Sequence, residues 1–226
     1  MIEVKNLWFR YPNGTVALKD ITLTINDGVT AVVGPNASGK TTLLKVLGLL
    51  YRPTKGDVKV DGVNYWELSK GLRESFRRRI VYVHEKPILI RGTVIDNVIY
   101  GLLIRGYERD EAIDKAIHVL RELGIEYLVS KRTKELSAGE AQAVALARAI
   151  VLKPKYLLLD EPTANLDLSK RRALMRLLKE LSDEGLNIVV ATHDQLLAAK
   201  LAKYVVVLEE GRLVSYGLVN EVLKGL

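Results

Sequence analysis

Two hydrophobic periods alternate along the chain, and the points where one gives way to the other mark its elements. Residues 2–11 read as a strand ended by Pro12-Asn13-Gly14, and residues 17–25 as a second whose apolar face is Leu18, Ile21, Leu23 and Ile25. These two predict an antiparallel β edge. Residues 29–33 form a short apolar run entering Gly34, followed by a helical stretch over 39–50. Short strands are predicted at 57–60 and 80–83. Residues 93–123 then carry helical spacing, with Ala112, Ala116, Val119 and Leu120 in one stripe. Further along come a helix at 137–152, a strand at 156–159, a helix at 168–182, and strands at 188–191 and 205–208. Strands alternating with helices predict an α/β fold, a mostly parallel sheet flanked by helices. The strand-poor block at about 82–134 is expected to be an inserted helical subdomain, with 1–81 and 135–226 as the core of a single domain.

Composition narrows the class without naming a partner. At 226 residues, 48% hydrophobic and 27% charged, the chain has the balance of a globular domain, and the absence of cysteine excludes a thiolate zinc site. No apolar run reaches membrane-spanning length, and the N-terminus lacks a signal peptide's apolar segment, so the chain is expected in the cytosol. The net charge of +7 favours polyanions and anionic membrane surfaces. Basic runs at Arg77-Arg78-Arg79, Lys131-Arg132 and Lys170-Arg171-Arg172 carry no interleaved aromatics, so they read as solvated faces and no nucleic-acid partner is expected.

The first chemical signal is Gly34-Pro35-Asn36-Ala37-Ser38-Gly39-Lys40-Thr41, which fits G-x-x-x-x-G-K-[ST] between a strand and a helix. Such a P-loop turns successive N–H groups into one concavity, and the following helix adds its positive end, so a triphosphate is held largely by backbone. Lys40 is placed to reach the outer phosphates, Thr41 to offer its hydroxyl to Mg²⁺, and Thr42 to complete the ATP-binding set.

Two carboxylates follow an apolar strand at Asp160-Glu161-Pro162. Side chains alternate along a strand, so the pair is expected to point in different directions. Asp160 then suits the Mg²⁺ shell and Glu161 the attacking water as general base. His193, in Thr192-His193-Asp194, ends another strand on the side where parallel sheets bind ligands. It is a candidate for the γ-phosphate, although a lone strand-end histidine is more often structural.

Leu136-Ser137-Ala138-Gly139-Glu140 opens a predicted helix, and its S-x-x-E spacing is also an ordinary capping box. The order of P-loop, helical block, Ser-x-Gly at a helix start, Asp-Glu at one strand end and His at another resembles an ATP-binding cassette (ABC) ATPase across nearly the whole chain. That resemblance implies a head-to-tail dimer in which Ser137 and Gly139 face the γ-phosphate bound by the partner. It implies that Tyr11 stacks on adenine, though a strand-end aromatic can equally pack on its own sheet, and that Asn165-Leu166-Asp167 touches the opposite subunit. Glu85 stands where the family usually has a glutamine at the metal, and Ala138 and Glu140 replace a commoner glycine and glutamine.

The resemblance therefore implies an ATPase with catalytic Glu161, His193 and Lys40, and Mg²⁺ held by Thr41, Asp160 and Glu85. Such a subunit would sit peripherally on the cytoplasmic face of the membrane, driving separate permease subunits and served by a substrate-binding protein. Residues 92–106 resemble subunits of oxyanion importers such as those for tungstate or molybdate. A nucleic-acid ATPase and a nucleotide-binding module that does not hydrolyse remain as alternatives.

Overall fold

The computed structural model describes residues 1–223, which divide into two compact units. The first comprises Met1–Tyr82, Lys155–Glu161 and the chain from Gly185 onward; the second comprises Val83–Pro154 and Pro162–Glu184. In chain order the elements are β1 (Ile2–Arg10), β2 (Val16–Ile25), β3 (Val29–Val33), α1 (Lys40–Leu47), β4 (Lys55–Val60), β5 (Val63–Asn64), α2 (Lys70–Arg77) and β6 (Ile80–Val83). The helices α3 (Val94–Ile104), α4 (Arg109–Glu122) and α5 (Ala138–Ile150) follow. Then come β7 (Tyr156–Asp160), α6 (Leu168–Asp183), β8 (Asn187–Thr192), α7 (Gln195–Leu201), β9 (Tyr204–Glu209), β10 (Arg212–Leu218) and a short α8 (Val219–Val222).

The first unit holds two sheets. Antiparallel strands form one of their own, in the order β2-β1-β4-β5, and the other runs β10-β9-β3-β8-β7-β6. In the second sheet β9, β3, β8 and β7 are mutually parallel, and β10 returns antiparallel on β9. Strands β3, β7 and β8 are buried along their whole length, which is why they read as continuous apolar runs rather than alternating ones. Helix α1 packs on β2 of one sheet and on β7 and β8 of the other. A helix apolar on several sides needs such a position, and Leu43, Leu44, Val46 and Leu47 are all fully buried.

The pairing of β1 with β2 contains three register shifts, of which the first two offset each other. Between the pairs Val4↔Leu23 and Leu7↔Ile21 the extra residue is on β1, and between Leu7↔Ile21 and Phe9↔Leu18 it is on β2. Asn6 (φ 47°) and Asp20 (φ 54°) take the left-handed conformation at these places, and the Asn6 amide donates to Asp20 at 3.2 Å. Hence the apolar face predicted for β2 jumps three residues from Leu18 to Ile21 yet stays on one side. At the other end of the sheet that carries the site, Asp61 accepts hydrogen bonds from the Tyr156 hydroxyl (2.6 Å), Lys155 Nζ (2.7 Å) and Arg79 (3.2 Å), fixing the start of β7.

In the second unit α3, α4 and α5 pack on one another. The helical spacing over 93–123 is two helices, because Gly106 (φ 88°) turns the chain out of α3 before α4 begins. Ala112, Ala116 and Leu120 carry the buried face of α4, while Val119 is half-buried. Asn97 is fully buried: its amide donates to the carbonyls of Ile90 (3.0 Å) and Thr93 (2.9 Å) and accepts from Ile90 N–H (2.9 Å). The segment after Glu85 is thereby tied to α3. Contacts extend this unit past residue 134, the boundary expected from the strand-poor pattern, because α5 packs on α3 and α4. Helices α2, α7 and α8 and strands β5 and β10 are additional to the predicted elements; α2 is only eight residues long, and Phe76 is its half-buried contact with the core.

Candidate functional site

The register aligns three strand ends: Val33 pairs with Thr192, and Asp160 with Ala191. The Gly34 loop, the Asp160-Glu161 pair and His193 therefore leave the sheet side by side, at the ends where open parallel sheets bind ligands. In the loop, a Cβ on Gly34 would stand 2.1 Å from the Leu208 carbonyl oxygen, so no other residue fits without moving backbone. The Lys40 side chain lies along the loop, and its Nζ donates to the carbonyls of Gly34 (2.8 Å) and Pro35 (2.9 Å). Ser38 is buried and its hydroxyl has no protein partner, a donor that a phosphate oxygen would satisfy. Asn36 and Ala37 are exposed at the loop tip, and Ala37 adopts φ 63°.

The carboxylate of Asp160, 1% exposed, accepts from the Thr41 hydroxyl on Oδ1 (3.1 Å) and from the Tyr82 hydroxyl on Oδ2 (2.9 Å). Glu161 takes the opposite course. Its backbone has φ 44°, its N–H donates to the Ala191 carbonyl, and its Oε1 accepts from both the backbone N–H and Nδ1 of His193, each at 2.9 Å. A carboxylate oxygen only accepts, so the shared proton sits on Nδ1. Thr41 and Asp160 make a hard oxygen pair suited to Mg²⁺, which binds through one or two carboxylates together with phosphates and water. No cluster of three or more His, Cys, Asp or Glu able to hold a metal occurs among the described residues.

Tyr11 joins this region through its hydroxyl, 2.8 Å from Thr42 Oγ1, and packs edge-on against Phe9 and Tyr51 with ring centroids 5.0 and 6.1 Å away. Thr42 is buried in the first turn of α1.

Glu85, Ser137 and Gly139 belong to the second unit, where Glu85 is exposed. Ser137 caps α5: its hydroxyl accepts from Glu140 N–H (3.3 Å), and Glu140 Oε2 accepts from Ser137 N–H (2.7 Å). Lys131 holds the other carboxylate oxygen at 3.1 Å, so one lysine of a basic run has a defined structural task. Next to the cap, a Cβ on Gly139 would stand 2.5 Å from the Asn165 carbonyl oxygen. The two segments are in contact within one chain, which explains a glycine at 139 while the exposed Ala138 is tolerated.

The Ser137 N–H and hydroxyl, followed by Lys131, lower the Glu140 carboxyl from 4.5 to about 2. Its contribution to stability is therefore full above the unfolded value near 4.5 and is lost as pH falls towards 2. Glu140→Gln keeps the shape of the cap without the charge. The melting temperature of the native chain should exceed that of the variant above pH 5, and the gap should close as pH falls towards 2; a gap independent of pH would contradict the assignment.

Tyr82 and Lys131 are the two residues at these sites that sequence reasoning passed over.

Comparison with known proteins shows the family and the fold. A family model described as ABC transporter matches residues 18–164. The phosphonates import ATP-binding protein of a Synechococcus species is 37% identical over 97% of this chain and 86% of its own length. The tungstate uptake system ATP-binding protein of Peptoclostridium acidaminophilum is 37% identical over 93% of this chain and 95% of its own. Among solved structures, an ATP-binding cassette in a dimeric, post-hydrolysis state bound to ADP and Pi superimposes with a TM-score of 0.91 at 30% identity, covering 97% of this chain and 99% of that one.

Proposed function

This chain belongs to the ABC transporter family and is an ATPase subunit of an ATP-driven transport system, and from that premise we propose that it powers an oxyanion importer as a head-to-tail homodimer. The observation that carries the catalytic part is the meeting, at one end of one sheet, of a P-loop with Lys40 on its carbonyls, Asp160 on Thr41, and Glu161 on His193.

In this reading the loop N–H groups of Gly34 to Thr41, Lys40 and Thr42 hold the phosphates of ATP, and Tyr11 offers its ring to adenine. Thr41 and Asp160 would hold Mg²⁺, which when bound would neutralise charge developing on the phosphate oxygens. Glu161 accepts a proton from water as the water oxygen bonds to the γ-phosphorus. The bond from that phosphorus to the bridging oxygen breaks, and ADP leaves with the electron pair. His193 holds Oε1 of Glu161, so the base stays oriented. Ser137 and Gly139 of the second copy close the site with the N-terminus of α5, whose positive end faces the γ-phosphate.

The importer assignment rests on the two relatives whose names specify uptake of phosphonates and tungstate, both oxyanions. Permease subunits and a substrate-binding protein complete the proposed system. No helix among the described residues is long and apolar enough to cross a membrane, and the proposed location is peripheral, against permeases on the cytoplasmic face.

The test is steady-state ATPase activity of the purified chain against its own concentration at fixed Mg²⁺-ATP. A site completed by a second copy makes specific activity rise with concentration until dimers dominate. Activity per chain that is constant across the range would show a site complete in one copy.

A further inference from the structure

Asp160 is an almost wholly buried carboxylate, and its two oxygens are treated differently. Oδ1 accepts from Thr41, a residue of the loop helix that is itself assigned to the cation, whereas Oδ2 accepts from Tyr82 at 2.9 Å. Tyr82 stands on β6, the neighbour of β7 in the sheet, so its hydroxyl belongs to the same rigid layer as Asp160. Its stem is confined as well. The ring packs against the core of the first unit, and a Cβ on Gly48, at the end of α1, would lie 3.6 Å from Tyr82 Cβ and 3.3 Å from Leu158. Glycine at 48 thus leaves room for Leu158 of the strand that carries Asp160, with Tyr82 at ordinary packing distance.

A buried carboxylate that must present a lone pair to a cation needs its plane fixed by a donor that does not move with the nucleotide. Thr41 does not meet that condition, because its hydroxyl sits on the phosphate-binding helix. Tyr82 meets it. We infer that Tyr82 is a positioning residue for the metal: its hydroxyl fixes the Asp160 carboxylate and thereby sets the affinity of the P-loop for a divalent cation. This rests on the assignment of Thr41 and Asp160 to Mg²⁺. Partners of this kind behind a metal ligand typically contribute about 10- to 100-fold in metal affinity.

The experiment uses Mn²⁺ as the probe, its free concentration read by electron paramagnetic resonance in the presence of ATP, in a chain carrying Glu161→Gln so that nucleotide is not consumed. Tyr82→Phe keeps the ring and removes only the donor. Mn²⁺ affinity should fall by about 10- to 100-fold, while ATP binding measured in excess chelator stays within about twofold. In an Asp160→Asn background the same Tyr82→Phe change should have no further effect on Mn²⁺ affinity, and this cycle cancels any loss of fold common to both variants.

Unchanged Mn²⁺ affinity in Tyr82→Phe, with a normal loss in Asp160→Asn and Thr41→Ala, overturns the role of Tyr82 and leaves the metal site standing. Unchanged affinity in Asp160→Asn and Thr41→Ala overturns the metal site itself. An equal loss from Tyr82→Phe with and without Asp160 would show that the tyrosine acts by some route other than this carboxylate.

Discussion

Glu161→Gln should lower kcat by about 10²- to 10⁴-fold, the usual worth of a positioned general base, while ATP affinity stays within a few-fold. The geometry makes this substitution unusually clean. Glu161 uses Oε1 for both of its bonds to His193, and a glutamine carbonyl oxygen can accept the same two hydrogen bonds at the same place. Its strained backbone, φ 44°, is held by the N–H bond to Ala191 and does not depend on the carboxylate. Only the ability to take a proton is lost. Single-turnover hydrolysis together with equilibrium ATP binding measures both quantities, and a variant within tenfold of the native rate would remove Glu161 from the chemistry.

Lys40→Met should weaken ATP binding by about 30-fold to several thousand-fold, corresponding to the ~2–5 kcal/mol lost when one partner of a desolvated charge pair is truncated. Lys40 is 8% exposed, and its ammonium rests on two neutral carbonyls of the loop. A triphosphate offers that ammonium an anionic partner that the loop itself does not. Methionine retains the apolar stem, and Leu43, Leu44 and Leu47 hold α1 in place, so the fold is expected to survive. Calorimetric titration with ATP reads the loss directly; native affinity in the variant would mean that the loop N–H groups bind the phosphates unaided.

Much of this site was legible because its chemistry depends on short-range spacing. The P-loop announces itself through glycines demanded by close backbone approach, as at Gly34 against Leu208, and through its place between a five-residue apolar strand and a helix. Asp160 and Glu161 are adjacent residues whose divergence follows from strand geometry and the turn at Glu161. What the sequence concealed lies in pairings between distant segments. Nothing local to Tyr82 points to a residue 78 positions away, and Lys131 reads as one basic residue in a run until the fold brings it to Glu140. The extent of the second unit was hidden for the same reason. The spacing within α5 predicts a helix, but whether that helix packs with α3 and α4 is a tertiary matter. Helix α2 is only eight residues long, with Leu72 and Phe76 as its two large apolar residues, too short a stretch to stand out from its polar surroundings.

The central claim is that ATP is held between two copies of this chain, and sedimentation of the Glu161→Gln variant tests it most directly. With Mg²⁺-ATP present and hydrolysis blocked, the variant should sediment as a dimer, and it should return to a monomer with ADP or when Lys40→Met is added. A variant that binds ATP yet remains monomeric at every concentration would contradict the account.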